Sequence, residues 1–288
     1  MEEWISPFVR TILIFGGINS ILALSLYVPF SAGQLSLAQG GFMAIGAYTS
    51  AVLTRNFGLP FGVALLGGAV LASAVGVGVC FPALRIKGIY LLLITMGFNE
   101  VIRVFFLNFS YTGAVGGFGG IAPLTNLFNL YLVLFLLIVF FSRLHRSRLG
   151  RALRAVSWDQ DAAEARGIPL TRIKTFAFGS GAFVAGLAGG FYAHFVMFIA
   201  SENFGFYRSL EAMIFVILGG SQVFWGSILG AHLVTVIPEA FRFLQKFRYE
   251  FFGVCLVVMM ILRPMGLLDE EICRWRWWKE NVLSRGSK

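Results

Sequence analysis

The sequence predicts an all-α integral membrane protein, a polytopic bundle of about 8–10 transmembrane helices. Of its 288 residues, 58% are hydrophobic and only 13% are charged, whereas soluble domains carry about 25% charged residues. Apolar runs about 20 residues long, the length that crosses a bilayer, follow one another with short polar connections. Because so few charges cannot cover a globule of this size in water, lipid is the expected solvent.

Nine apolar runs are candidate membrane spans, of which the seventh and eighth are short. The acidic start of the chain, Met1–Trp4, is unlike the basic start of a signal peptide, so we expect the first run to be retained as a span. The runs lie at residues 8–30, 35–54, 60–82, 88–108, 124–142, 174–199, 209–225, 226–241 and 248–263.

The placement of charge predicts the orientation of these spans. The net charge is +9, and eight basic but only three acidic residues lie between Arg143 and Lys174. Short loops rich in Lys and Arg stay in the cytoplasm, which argues for membrane topology and against a nucleic-acid partner. The loop 109–123 then lies outside, Arg85 with Lys87 inside, the N-terminus outside and the C-terminal tail inside. Residues 238–250 are assigned outside although they carry three basic residues.

The sequence contains no signature of a cofactor, a metal site or an ATP site. Cys80 and Cys255 lie in apolar runs and Cys273 in the charged tail, so neither a disulfide framework nor a metal spacing emerges. No Lys follows a Gly, which excludes the phosphate-binding P-loop motif. An ion gradient or another subunit would have to supply energy for active transport.

The large cytoplasmic loop contains one short helix. Ser157 and Gln160 fit a capping box, and Gly167 before a proline is a stop signal, so we expect a helix over Trp158–Arg166. This helix is too polar to enter lipid. Two interpretations remain open, a solvated surface helix and a helix that docks on a partner.

Glu100 and Arg103 are ionisable residues near the middle of the fourth apolar run, with Asn99 beside them. Burying such residues at membrane depth costs free energy, and they often have a functional role. The alternative is a mutually neutralising pair at i and i+3 that stabilises a helix interface, which is the interpretation we favour. An ion-coupled transporter would use Glu100 as proton carrier and Arg103 as its gate.

Other polar residues in apolar runs favour packing roles. His194 and His232 have no second ligand at metal-like spacing, so we expect polar packing residues rather than an intramembrane enzyme site. Arg208 and Glu211 are interpreted as an ion pair at the membrane interface.

Glycine-rich and polar segments leave alternatives open. The uncharged segment Tyr111–Pro123 either folds back into the protein or is a floppy connection. Gln34, Ser36 and Gln39 either line a passage for a polar solute or bond neighbouring helices. Small residues such as those of the GxxxG pairs let helices approach closely; these pairs are Gly186/Gly190 and Gly226/Gly230, and adjacent glycines occur at Gly16/Gly17, Gly67/Gly68 and Gly219/Gly220.

Four segments of the chain carry a family resemblance by their order, and together they cover about residues 20–268. They are GQLSLAQGGFMAIGAY (Gly33–Tyr48), GIYLLLITMGFNEVIR (Gly88–Arg103), DAAEARGIPLTRIKTFAF (Asp161–Phe178), and SLEAMIFVILGGSQVFWGSILGA (Ser209–Ala231) with a later RPMGLL (Arg263–Leu268). With these segments, the chain resembles the permease subunits of bacterial ABC importers for branched-chain amino acids.

The resemblance implies a domain organisation and a set of partners. It implies a transmembrane permease domain over 1–268, with a cytoplasmic coupling loop at 143–173, and a charged cytoplasmic tail over 269–288. The implied partners are a second homologous permease subunit, two ABC ATPase subunits, an extracytoplasmic solute-binding protein and the lipid bilayer of the bacterial inner membrane. No catalytic activity is expected of this subunit, since ATP hydrolysis would reside in the ATPases.

The resemblance also implies a coupling helix that docks in the ATPase and passes on its movement. The implied contact residues are Asp161, Ala162, Ala163, Glu164 and Gly167. Departures from the family pattern at Trp158 and Arg166 bear on this contact, and others occur at Gln222 and Ala38. Relatives with this architecture also import urea, short amides and other small solutes, so those cargoes stay as alternatives.

Overall fold

The computed structural model describes residues 6–83, 86, 88–221, 223–240, 253, 254 and 257. Helices dominate this part of the chain, with one two-stranded sheet and three short 3-10 turns. The helices are α1 (Pro7–Ser31), α2 (Gln39–Arg55), α3 (Phe61–Ala83), α4 (Ile89–Asn108), α5 (Leu127–Arg146), α6 (Arg148–Trp158), α7 (Gln160–Ala165), α8 (Leu170–Val196), α9 (Phe206–Gly219) and α10 (Phe224–Ala240); the strands are β1 (Phe118–Gly119) and β2 (Phe198–Ile199).

The first six predicted spans each correspond to one long helix, which confirms the polytopic all-α fold. Among the described residues, α1, α3, α4, α5 and α8 are long and apolar enough to cross a membrane, and the helix pair α9–α10 could add a sixth span. The helix α2, with 17 residues, is shorter than these. The ninth predicted run, 248–263, falls almost entirely outside the described residues.

The seventh and eighth predicted spans form a bent pair rather than two straight crossings. The axes of α9 and α10 differ by 117° across a short break, as in a broken span or a re-entrant loop. Gly220 adopts φ +114° at the end of α9, a backbone region that side-chain-bearing residues rarely occupy. Backbone atoms of Gly219 and Gly226 leave no room for a Cβ between the two helices. Hydropathy gives the length of an apolar segment but not the direction of its helix axis. The sequence therefore did not predict the bend.

The core lies around α1 and α8, whose most apolar segments are each 78% buried. The helices α2 and α3 pack on α8, while α4 and α5 lie at the periphery and bury only 22% of their apolar segments. Close approach depends on glycine: a Cβ on Gly46 of α2 would overlap the backbone of Gly186 in α8. The predicted packing role of the GxxxG pairs is thereby confirmed.

The helix ends fall into two sets that match the predicted alternation of spans. Gly33, after α1, lies against Ser157 of the cytoplasmic loop. At the opposite end Arg55, which closes α2, donates a hydrogen bond to the carbonyl oxygen of Gly119 in the 109–123 loop. The predicted cytoplasmic pair Arg85 and Lys87 lies outside the described residues.

The uncharged 109–123 loop folds back onto the bundle. Its strand β1 pairs antiparallel with β2, with Phe118 opposite Ile199. The guanidinium of Arg55 lies 4.8 Å from the centre of the Phe118 ring, and the amide of Asn56 donates to the hydroxyl of Tyr111 at 2.9 Å. Of the two interpretations left open by the sequence, the floppy connection is therefore wrong.

Candidate functional site

The short polar helix predicted between the fifth and sixth spans is α7, and Asp159 caps it. One carboxylate oxygen of Asp159 accepts hydrogen bonds from the backbone N–H groups of Asp161 and Ala162, both at 3.0 Å. The predicted capping box at Ser157 is wrong, because Ser157 still belongs to α6. A carboxylate at this position satisfies the open N–H groups and suits the positive end of the helix.

The predicted coupling residues form one exposed surface with a single buried anchor. Asp161, Ala162, Glu164 and Gly167 are exposed, whereas Ala163 faces the bundle with 3% of its surface exposed. Gly167 has φ +79° and ends the helix as predicted. The indole of Trp158, just before α7, is 88% exposed. Tryptophan is enriched in the cores of protein–protein interfaces.

Two contacts attach α7 and its flanks to the membrane helices. The ammonium group of Lys174, near the start of α8, donates to the side-chain oxygen of Gln160 at 2.9 Å, and Lys174 is only 5% exposed. Gly33 has φ +70°, and a Cβ there would lie 3.1 Å from the Cα of Ser157. The helices α6 and α7 thus touch both α8 and the connection between α1 and α2.

That connection, residues 32–38, contains two of the three polar residues predicted as possible pathway lining. Ser36 accepts a hydrogen bond from the backbone of Ala38 at 3.2 Å. Gln39, the first residue of α2, accepts one from the Ser25 hydroxyl at 3.1 Å. Gln34 is buried, and its side-chain oxygen has no partner among the described residues. Gln39 therefore bonds a neighbouring helix, whereas Ser36 bonds within its own connection. A passage role for the three residues stays a prediction.

Asn99 lies at the contact between α4 and the start of α2. It is fully buried, and neither its amide oxygen nor its amide nitrogen has a partner within the described part of the chain. Its oxygen faces Gly40 and Gly41, where an added Cβ would lie 2.9 and 3.2 Å from it. The backbone N–H of Gly40 donates to the Ser209 hydroxyl at 2.9 Å, so α2, α4 and α9 meet here.

Glu100 and Arg103 form the predicted i, i+3 ion pair, with Nε of Arg103 and Oε2 of Glu100 at 2.6 Å. The side chains are 29% exposed for Arg103 and 37% for Glu100. The pair therefore lies on the flank of α4, whereas Asn99 points into the bundle.

A second ion pair joins Arg208 and Glu211, as the sequence predicts. The side chains are 12% and 7% exposed, and Nη1 of Arg208 lies 2.8 Å from Oε2 of Glu211. The location expected for this pair at the membrane interface stays a prediction. Arg208 also donates to the Asn19 amide oxygen at 2.8 Å, and the Asn19 amide nitrogen donates to Thr235 at 2.9 Å. The network joins α1, α9 and α10 inside the bundle.

The two intramembrane histidines are packing residues, as predicted. Nδ1 of His194 lies 2.8 Å from the carbonyl oxygen of Gly190, and its Nε2 lies 3.0 Å from the Thr54 hydroxyl. Nδ1 of His232 lies 2.9 Å from the Ser20 hydroxyl. Among the described residues, no group of three His, Cys, Asp or Glu side chains could hold a metal ion.

Comparison with known proteins assigns the chain to a family. Residues 8–263 match the family described as "Branched-chain amino acid transport system / permease component". The chain belongs to this permease family. It is 35% identical to the high-affinity branched-chain amino acid transport system permease protein LivM of Escherichia coli K12, over 92% of this chain and 69% of that protein. No solved structure matches it.

Two more distant relatives belong to the same comparison. The probable LivM of Methanocaldococcus jannaschii is 24% identical over 91% of this chain and 94% of its own length. The galactofuranose transporter permease protein YtfT of Escherichia coli K12 is 24% identical over 75% of this chain and 66% of its own length. This chain is therefore a multi-pass membrane protein of a transport permease family, and such a subunit is not an enzyme.

Proposed function

We propose that this chain is one of two nonidentical permease subunits of an ABC importer that carries branched-chain amino acids into the cytoplasm. Its membership of the permease family, together with 35% identity to LivM across nearly the whole chain, is the observation that carries the substrate assignment. Two separate ATPase subunits supply the energy, a binding protein outside the bacterial inner membrane delivers the solute, and no cofactor is required.

The surface formed by α7 and Trp158 supports an ATPase contact. It carries exposed acidic groups at Asp161 and Glu164, a capped helix and an uncovered indole. We propose that Asp161, Ala162, Glu164 and Gly167 touch the ATPase, while Ala163 anchors the helix. Movement of the ATPase would then reach α8 through the Gln160–Lys174 hydrogen bond and the α1–α2 connection through the Gly33–Ser157 contact.

Leucine uptake by the complete transporter tests this proposal. Proteoliposomes holding both permease subunits and both ATPases, supplied with loaded binding protein, are expected to accumulate leucine only with ATP inside. A protonophore should leave that uptake unchanged. Uptake that continues without ATP but stops with the protonophore would instead support the ion-coupled transporter that uses Glu100 and Arg103.

The coupling surface has its own test in ATPase binding. Glu164→Gln or Gly167→Ala should lower the yield of permease–ATPase complex in pull-down while the permease remains monodisperse in detergent. The matched control is Glu202→Gln, a carboxylate in the 3-10 turn Ser201–Phe204 at the opposite end of the bundle. Normal complex yield in both coupling variants would contradict the role of α7.

The related galactofuranose permease keeps a second class of cargo open. At 24% identity over 75% of this chain, it supports the same architecture with a different small polar solute. Competition of labelled leucine uptake by isoleucine, valine, urea and galactofuranose distinguishes the two, and inhibition by isoleucine and valine alone is the result we expect.

A further inference from the structure

The ion pair on α4 uses only a small part of its hydrogen-bonding capacity. Its single bond joins Nε of Arg103 to Oε2 of Glu100. A guanidinium has five N–H donors and a carboxylate two acceptor oxygens. Within the part of the chain that the structure describes, the two terminal nitrogens of Arg103 and the second oxygen of Glu100 meet no other partner. Four donors and one full carboxylate oxygen therefore remain available.

These open groups lie at membrane depth. Glu100 lies twelve positions into the 20 residues of α4. At a rise of about 1.5 Å per residue, it is about 17 Å from the start of the helix and about 12 Å from its end. The hydrocarbon core of a bilayer is about 30 Å thick. Charged groups at that depth face protein or a water-filled cavity, because contact with lipid tails is too costly.

The pair is nevertheless accessible at the surface of this subunit, with side chains 29% and 37% exposed. Therefore neither lipid nor the core of this chain can supply the hydrogen-bond partners that the pair lacks. A water-filled passage bordered by α4 accounts for both the depth and the exposure.

The surroundings of Arg103 favour an anionic ligand. Its Cδ lies close to Gly205, where an added Cβ would be 3.4 Å away. Gly205 is the N-cap of α9 and provides no side chain to cap the first N–H groups. The N-terminus of α9 therefore lies next to the aliphatic part of the Arg103 side chain. Helix N-termini attract carboxylate and phosphate groups.

We propose that Arg103 and Glu100 form a transient binding site for the zwitterionic head of an α-amino acid on its way across the membrane. The terminal N–H groups of Arg103 bind the carboxylate, in the two-pronged geometry that guanidinium groups favour. The free oxygen of Glu100 accepts a hydrogen bond from the ammonium. Because the head group is common to leucine, isoleucine and valine, the site selects α-amino acids as a class and not one side chain. This inference rests on the proposed function.

The test separates passage of the solute from assembly and coupling. Glu100→Gln, Arg103→Gln and the double variant are reconstituted with the partner permease and the ATPases, and both leucine uptake and ATP hydrolysis are measured with loaded binding protein. The single variants should lose about tenfold or more of their uptake, the size expected for one charge-assisted hydrogen bond. Stimulation of ATP hydrolysis by the binding protein should persist, because the coupling helix is untouched. The matched control Val101→Ala, an exposed neighbour on the same helix, should transport normally.

Two other outcomes would overturn the binding site, and a third would contradict the proposed function. Normal uptake in the wild-type complex and in all three variants would overturn the site alone. Loss of complex yield and of ATPase stimulation together with uptake, in the double variant that leaves no lone charge, would assign the pair a structural role and also overturn the site. Absence of leucine uptake in the wild-type complex would instead contradict the proposed function.

Discussion

The ammonium group of Lys174 donates a 2.9 Å hydrogen bond to the side chain of Gln160, and this bond connects the start of α8 to α7, the proposed coupling helix. Since α8 is the central helix of the bundle, with 78% of its apolar segment buried, a displacement of α7 acts directly on the core. Four predictions follow for the contact between Gly33 and Ser157, the capping of α7, the close approach of α2 and α8, and the buried ion pair.

Gly33→Ala should weaken coupling more than it weakens folding. The substitution places a Cβ in a left-handed backbone conformation, φ +70°, at a cost of about 1–2 kcal/mol. It also directs that Cβ to within 3.1 Å of the Cα of Ser157, which pushes the coupling segment away. The measurements are the melting temperature of the complex and the number of leucine molecules imported per ATP hydrolysed.

Gly58→Ala is the matched control for that prediction. Gly58 has φ +63° but no neighbour within 4 Å of an added Cβ, so it reports backbone strain alone. It should lower the melting temperature slightly and leave the leucine-to-ATP ratio unchanged. Equal effects of the two variants on that ratio would exclude the Gly33–Ser157 contact as a route of coupling.

Removal of the Asp159 cap should loosen α7 without altering the membrane helices. Asp159→Ala removes the acceptor of two backbone hydrogen bonds, and an N-cap contributes about 1 kcal/mol. We expect weaker association with the ATPase, measured by titration in detergent, and an unchanged melting temperature. Asp159→Asn retains a capping oxygen and should restore most of the affinity; a fully weakened Asn variant would point to the charge and not the cap.

Gly46→Ala should destabilise the bundle strongly, because the added methyl group would overlap backbone atoms of Gly186. Overpacking of this kind costs about 1–3 kcal/mol or more. Thermal unfolding of the purified protein in detergent is the measurement. Gly78→Ala, in α3 with open space around the added Cβ, should be neutral or stabilising, since alanine is the better helix former.

The Arg208–Glu211 pair should behave as a coupled unit. Removing either partner leaves a charge that is buried by about nine-tenths, and breaking a buried pair costs about 3–5 kcal/mol. The double variant Arg208→Met/Glu211→Gln should therefore be more stable than Arg208→Met or Glu211→Gln alone. Strictly additive losses in a thermal double-mutant cycle would show that the two side chains do not stabilise each other.

The sequence predicted the elements of the fold better than their directions. Hydropathy located six long helices, and the i, i+3 spacing identified the Glu100–Arg103 pair. The same spacing at Arg208 and Glu211 did not reveal burial, because burial depends on Asn19, which is 189 positions away from Arg208. Asn19 is a polar residue inside the first apolar run, and this was the one local signal that could have indicated a partner deep in the bundle.

At the candidate site, too, the sequence predicted local features but not the contacts between distant residues. Gly167 and the short helix before it could be predicted because a glycine stop and a polar helix between spans are local features. The coupling role of this helix stays a prediction. The capping residue was assigned two positions too early, since Ser157 and Asp159 are both good caps and only the length of α6 decides between them. The open hydrogen-bonding groups of Arg103 could not be predicted, because the sequence does not show which neighbours leave a side chain unsatisfied.

The pairing of Phe118 with Ile199 fastens the outer connection between α4 and α5 to the one between α8 and α9. This short sheet, with two residues in each strand, connects the ends of α4, α5, α8 and α9. A conformational change that separates these helix ends would first have to break the pairing between β1 and β2. The ends of these four helices are therefore expected to move together, as one rigid unit, when the protein changes conformation.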